Sequence, residues 1–92
     1  MSKGKETVTK VINGDTFRTK SRPKHAVRLA GVNAPEKGQR GSKAATNALR
    51  KLIGGEKVEV KPVARDQYGR TVASVKVKGK SVNQAMKTKM KK

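Results

Sequence analysis

The apolar residues of this chain change period twice, from two to about 3.6 and back to two, and few folds accommodate that succession. The first run, ETVTKVIN over Glu6 to Asn13, is rich in β-branched residues, and the Asn13-Gly14 pair after it is a strong hairpin signal. Thr16 to Thr19 begins a second strand. Beyond the basic loop KSRPK, the segment HAVRLAGV places Val27 and Leu29 on one face and Arg28 on the other, which predicts a third strand ended by Pro35. The period then lengthens. Ser42 is placed to cap a helix whose apolar residues Ala45, Ala48, Leu49, Leu52 and Ile53 follow helical spacing, and Gly54-Gly55 stops it. Alternation returns at Val58 and Val60, and again at Ala73, Val75 and Val77, for strands four and five. Lys78-Gly79-Lys80 turns the chain, and Val82, Ala85, Met86 and Met90 form the apolar stripe of a last short helix. The closing residues KTKMKK are expected to fray.

This order predicts a mainly β fold with added α structure: a five-stranded OB-fold, a Greek-key barrel with one helix between strands three and four and a short C-terminal helix. An SH3-like barrel or a small α+β sheet would have the same periodicity. A chain of 92 residues has room for one domain, expected to span 1–92 with its core at about 6–86 and a basic tail at 87–92. A domain of this size buries only about 60% of its unfolded surface.

Lysine and arginine number 24 against six acids, a formal net charge of +18. Such an excess favours a polyanionic partner, DNA or RNA, held by salt-sensitive phosphate contacts without sequence preference. With no cysteine, disulfides and thiolate metal sites are excluded. The start, MSKGKETVTK, lacks the apolar core of a signal peptide, which leaves the cytoplasm or, for a mature form, the exterior. No long apolar run is present, so no membrane partner is expected.

Three of the six acids, Asp15, Glu36 and Asp66, fall at strand ends beside turns. Singly, each reads as a turn residue or a surface carboxylate. Jointly they read differently, because a barrel brings the loop after strand one, the end of strand three and the start of strand five to one rim. There Asp15, Arg28, Asn33, Glu36 and Arg70 are expected to converge. The set contains hard oxygens for a divalent cation, a carboxylate to activate water, and guanidinium groups for added negative charge, the parts that phosphodiester hydrolysis needs.

The motifs GDT, VRLAGVNAPE and DQYGR, with a helix between the last two, resemble those of the staphylococcal nuclease (thermonuclease) family, and the likeness runs from about Thr7 to Met86. The later GKSVNQAM is similar to the family's entry into its second helix. The resemblance implies a calcium-dependent nuclease on an OB-fold that cuts DNA and RNA with little sequence preference and leaves 3′-phosphate ends. It implies Arg28, Glu36 and Arg70 as catalytic residues, the arginines on the phosphate and Glu36 as general base. Asp15, Asn33 and the carbonyl of Ala34 are implied as metal ligands. Tyr68 matches a tyrosine of the nucleotide pocket, and Gln67 beside it is assigned to the same substrate-binding segment.

Two departures modify these expectations. The family pattern carries aspartate where this chain has Asn33, which removes a ligand charge and predicts weakened calcium binding. The chain also stops where the family continues into a further loop and helix, and weak self-association is expected to cover the apolar surface so exposed. The alternative to an enzyme is a catalytically silent OB module that grips nucleic acid through its basic surface. A stacking platform is nearly absent from it, since Tyr68 and Phe17 are the only aromatic residues and Phe17 reads as core.

Overall fold

A computed structural model of the chain describes residues 5–22, 24–35 and 38–90. In chain order the elements are β1 (Glu6–Asn13), β2 (Thr16–Thr19), β3 (Val27–Leu29), α1 (Ser42–Ile53), β4 (Lys57–Arg65), β5 (Thr71–Val77), β6 (Lys80–Ser81) and α2 (Val82–Met90). The strands pair in the order β3-β2-β1-β4-β5-β6, and an additional pairing of β3 with β5 closes the first five into a ring. This is the expected OB-type barrel. All pairings are antiparallel except β3–β5, which sets Val27 beside Thr71, Arg28 beside Val72 and Leu29 beside Ala73.

Alternation explains the core. Val8, Val11, Phe17, Val27, Leu29, Val58, Val75 and Val77 join one buried cluster, and Leu49 and Ile53 of α1 and Val82 and Met86 of α2 complete it. Helix α1 lies against β1 and α2, and α2 lies against β5. A bulge at Pro62/Ala64 interrupts the β4–β5 register, where a proline's missing N–H costs the ladder least. Buried Glu6 accepts from the Thr19 hydroxyl at 2.7 Å and from Arg22 Nε at 2.9 Å, tying the segment after β2 back to β1.

Four local features differ from the sequence reading. Strand β3 has three residues, not eight: Ala30 still donates to the Ala73 carbonyl at 2.8 Å, but Gly31, with φ 73°, turns the chain away. The cap of α1 is Gly41, not Ser42, because the chain enters the helix through a left-handed residue (φ 86°) that serine disfavours. Ser42 is buried inside the first turn, where its carbonyl accepts from the Thr46 hydroxyl at 2.9 Å. The Lys78–Lys80 turn carries an extra two-residue strand, β6, and Ser81 Oγ accepts from Gln84 N–H at 3.1 Å as a local cap of α2. Finally, the segment expected to fray is helical through Met90, anchored by fully buried Met86; Lys91 and Lys92 lie outside the described residues.

Candidate active site

The site starts at the β1–β2 turn. Asn13 Oδ1 accepts from the Asp15 N–H at 3.0 Å, and Gly14 and Asp15 make the two-residue connection. Gly14 is needed for closeness rather than for backbone freedom, since its φ is not positive. A Cβ there would lie 2.5 Å from Ala45 Cβ in α1 and 2.8 Å from Ala34 Cβ. The turn is thus pressed between a helix and the segment after β3, and Asp15 is held where the two meet. Its Oδ1 accepts from the Thr16 hydroxyl at 2.7 Å, its Oδ2 accepts from the Ala34 N–H at 3.0 Å, and its backbone carbonyl accepts from Leu29 N–H at 2.8 Å.

Arg28 stands on the outward face of β3, in register with Thr16 on one side and Val72 on the other. Its Nη2 donates to Asn33 Oδ1 at 2.7 Å and lies 3.7 Å from Asp15 Oδ2. The segment that delivers Asn33 and Ala34 is braced from behind by buried Asn83 of α2. That carboxamide donates to the carbonyls of Ala30 (2.9 Å) and Ala73 (3.1 Å) and accepts from Val75 N–H (2.8 Å).

Arg70 enters from the β4–β5 turn under the control of Asp66. Asp66 Oδ1 accepts from the N–H groups of Tyr68 and Arg70, both at 2.9 Å, while Oδ2 accepts from Arg70 Nε at 2.6 Å. The guanidinium carbon of Arg70 also lies 5.4 Å from the centre of the exposed Tyr68 ring, within cation–π range. Partial burial alone would push the Asp66 carboxyl up, but hydrogen bonds from the Arg70 backbone, the Arg70 side chain and the Tyr68 backbone, with the Arg70 charge, hold it below its ordinary value of 3.8. A depressed carboxyl stabilises the folded chain at every pH above its ordinary value, and that stabilisation is lost as pH falls below 3.8 toward the folded value. The stability advantage of wild type over Asp66→Asn, from urea unfolding, is therefore expected to be constant from pH 7 to 5 and to shrink below 3.8. A gap unchanged at pH 3 would show that the Asp66 charge contributes nothing.

A concavity of about 640 Å³ joins these parts: Asp15, Arg28, Asn33, Ala34, Tyr68 and Arg70 line it, together with Asn13. Of the five residues expected to converge, four do; the fifth, Glu36, lies outside the described residues. Gln67 is exposed in the turn and does not line the cavity. Asn13, Asp66 and Asn83 had no assigned role from sequence. The first two carry only ordinary turn signals, and Asn83 acts through the backbone of distant strands, for which no local pattern exists.

The oxygens fit a hard divalent cation in kind, since calcium takes carboxylate, amide and carbonyl oxygens, the types offered by Asp15, Asn33 and Ala34. They are poor in charge. Among the described residues, Asp15 is the one carboxylate lining the cavity, and no three His, Cys, Asp or Glu side chains cluster.

The chain resembles known proteins over the same segments. Residues 26–89 match the family model described as Staphylococcal nuclease homologue. An uncharacterized endonuclease of Escherichia coli is 37% identical over 81 residues, covering 86% of this chain and 53% of that protein. Probable endonuclease LCL3 of Kluyveromyces lactis is 49% identical over 61 residues, 60% of this chain and 23% of its own length. Probable staphylococcal-like nuclease CAN1 of rice, Oryza sativa subsp. japonica, is 35% identical over 63 residues, 68% of this chain and 19% of its own. The chain thus spans about half the length of the bacterial relative and less of the others. Because the family match takes in more than two thirds of the chain, including Arg28, Asn33 and Arg70, this protein belongs to the staphylococcal nuclease family.

Proposed function

We propose that the chain is a metal-dependent nuclease that hydrolyses phosphodiester bonds in DNA and RNA with little sequence preference, using calcium bound weakly. The observation that carries this reading is the meeting of Asp15, Arg28, Asn33 and Arg70, from three separate segments, in one open cavity. A buried carboxylate, Asp15, that lines one cavity with two arginines suits a phosphate flanked by a cation.

The residues divide the work by their chemistry. Arg70 spends Nε on Asp66, which leaves its terminal amino groups for a non-bridging phosphate oxygen. Arg28 exchanges Asn33 Oδ1 for a second such oxygen, so the two guanidiniums hold the phosphate and offset the charge that builds as water adds. Glu36, from its place after Pro35 in the motif, accepts the proton of that water as the bond to the 5′ oxygen breaks; the 5′ oxygen leaves as a hydroxyl, taking a proton from solvent, and the 3′ phosphate remains. Exposed Tyr68 offers a face for the adjoining nucleoside. Asp15, Asn33 and the Ala34 carbonyl would hold calcium. When bound, the cation supplies positive charge against the phosphate and makes bound water more acidic.

Calcium titration with denatured DNA and with RNA, beside a chelated control, tests this reading. Activity is expected to need calcium, to vanish in Glu36→Gln, and to reach half-maximum at about tenfold less calcium in Asn33→Asp, because ligand charge tunes affinity across decades. Calcium calorimetry on the two proteins should show the same order without reference to turnover. Retained DNA binding with no cleavage at any calcium level would instead assign the chain to the silent binding module, which needs only the basic surface.

A further inference from the structure

A second concavity, of about 770 Å³, opens beside the first and shares Asn33 and Ala34 with it. From there its wall passes over Pro35 to the alanine side of α1, with Ala44 and Ala48, and carries two cations, Arg40 and Lys89. Among the described residues no carboxylate lines it. Asp15 and Arg28 bond directly to Ala34 and Asn33, the two residues the concavities share, whereas Tyr68 and Arg70 line the first concavity alone.

We propose that this groove holds the sugar–phosphate backbone of single-stranded nucleic acid on the side of the reacting phosphate away from Tyr68, with Arg40 and Lys89 as its phosphate contacts. The proposal rests on the reading that the reacting phosphate lies at Arg28 and Arg70. Three observations favour a nucleic-acid strand over other occupants. The groove is continuous with that phosphate position, so a strand bound at one must leave by a neighbouring surface. Its charge is positive among the described residues, matching a polyanion. Its floor of small aliphatic residues, Ala44, Ala45 and Ala48, has room for a sugar but offers no aromatic face for stacking, which suits contact through the backbone. A strand held on both sides of the reacting phosphate is gripped through its interior, so bonds within a chain should be preferred to terminal ones.

Binding of a fluorescent ten-nucleotide oligothymidylate to the whole chain in chelator, followed by anisotropy, tests the groove apart from any hydrolysis. Arg40→Gln with Lys89→Gln is expected to weaken binding about tenfold at low salt and to flatten the salt dependence by about 1.4, two single-strand phosphate contacts at roughly 0.7 each. Lys57→Gln with Lys76→Gln removes the same charge from exposed positions that line neither concavity, and is expected to change affinity less than twofold. Ala44→Leu, at an exposed helix position, fills the groove without altering charge and is expected to weaken binding severalfold. Equal losses in the two double variants, or none in Ala44→Leu, would overturn the proposal. So would displacement of the oligonucleotide by a decaglutamate peptide at equal charge, which would give the groove to an acidic protein. Failure of the nuclease reading would appear instead as absent cleavage, leaving these affinities as they are.

Discussion

Arg28→Lys is expected to lower kcat/KM on denatured DNA by about 10²–10³-fold while leaving the far-ultraviolet spectrum and melting temperature close to those of the wild type. Lysine keeps the charge near Asp15, 3.7 Å from the present guanidinium, so the buried carboxylate still has a cation beside it as well as Thr16 and Ala34. What is lost is the planar guanidinium geometry that holds Asn33 at rest and a phosphate oxygen in the reaction. Arg70→Lys should act similarly, with the added loss of the Nε bond that Asp66 uses to aim it. Because both arginines serve one phosphate, the double variant should lose less than the product of the single losses. Steady-state kinetics on the four proteins measures this. Near-wild-type activity in Arg28→Lys would remove this arginine from the chemistry.

Gly14→Ala is expected to destabilise the fold by roughly 1–3 kcal/mol, and Gly14→Val by more, through overpacking. A drop of about 2 kcal/mol in a domain this small would lower Tm by roughly 8–16 °C. The cause is steric: the new Cβ would sit 2.5 Å from Ala45 Cβ and 2.8 Å from Ala34 Cβ, and neither neighbour is a flexible chain end that can swing aside. Displacing Ala34 also disturbs its N–H bond to Asp15, so activity should fall together with stability. Ala45→Gly opens one of the two contacts at a helix-propensity cost of up to about 1 kcal/mol. In the Gly14→Ala background it should therefore cost less than in wild type, or even stabilise. Thermal melts of the four proteins give the coupling. Simple additivity would mean that α1 shifts freely and that the turn is not clamped.

The alternation in Ala73, Val75 and Val77 and the helical spacing of Ala45, Leu49 and Ile53 are local, repeated signals, and those residues are buried together as read. Arg28 was legible because a strand places its odd residue on the face opposite Val27 and Leu29. Gly14 was legible as a turn, but its reason was not, since Ala45 and Ala34 approach it only in the finished fold. The start of α1 was displaced by one residue because a φ of 86° at Gly41 decides the entry, and Ser42 carries a capping signal the backbone does not use. Asp66 looked like a turn initiator and is one, yet the same carboxylate also orients Arg70. Asn83 was invisible because its partners, Ala30, Ala73 and Val75, belong to other elements.

The parallel pairing of β3 with β5 carries a kinetic consequence. Arg28 is on β3 and Arg70 immediately precedes β5, with all of α1 and β4 between them in the chain. Nothing local brings the two arginines together, and closing so long a loop takes its full entropic toll before the contacts between the strands repay it. Phosphate affinity in this protein is therefore a reporter of ring closure: during refolding it should return with the slowest phase that completes the barrel, after helix content and hydrophobic collapse are already in place.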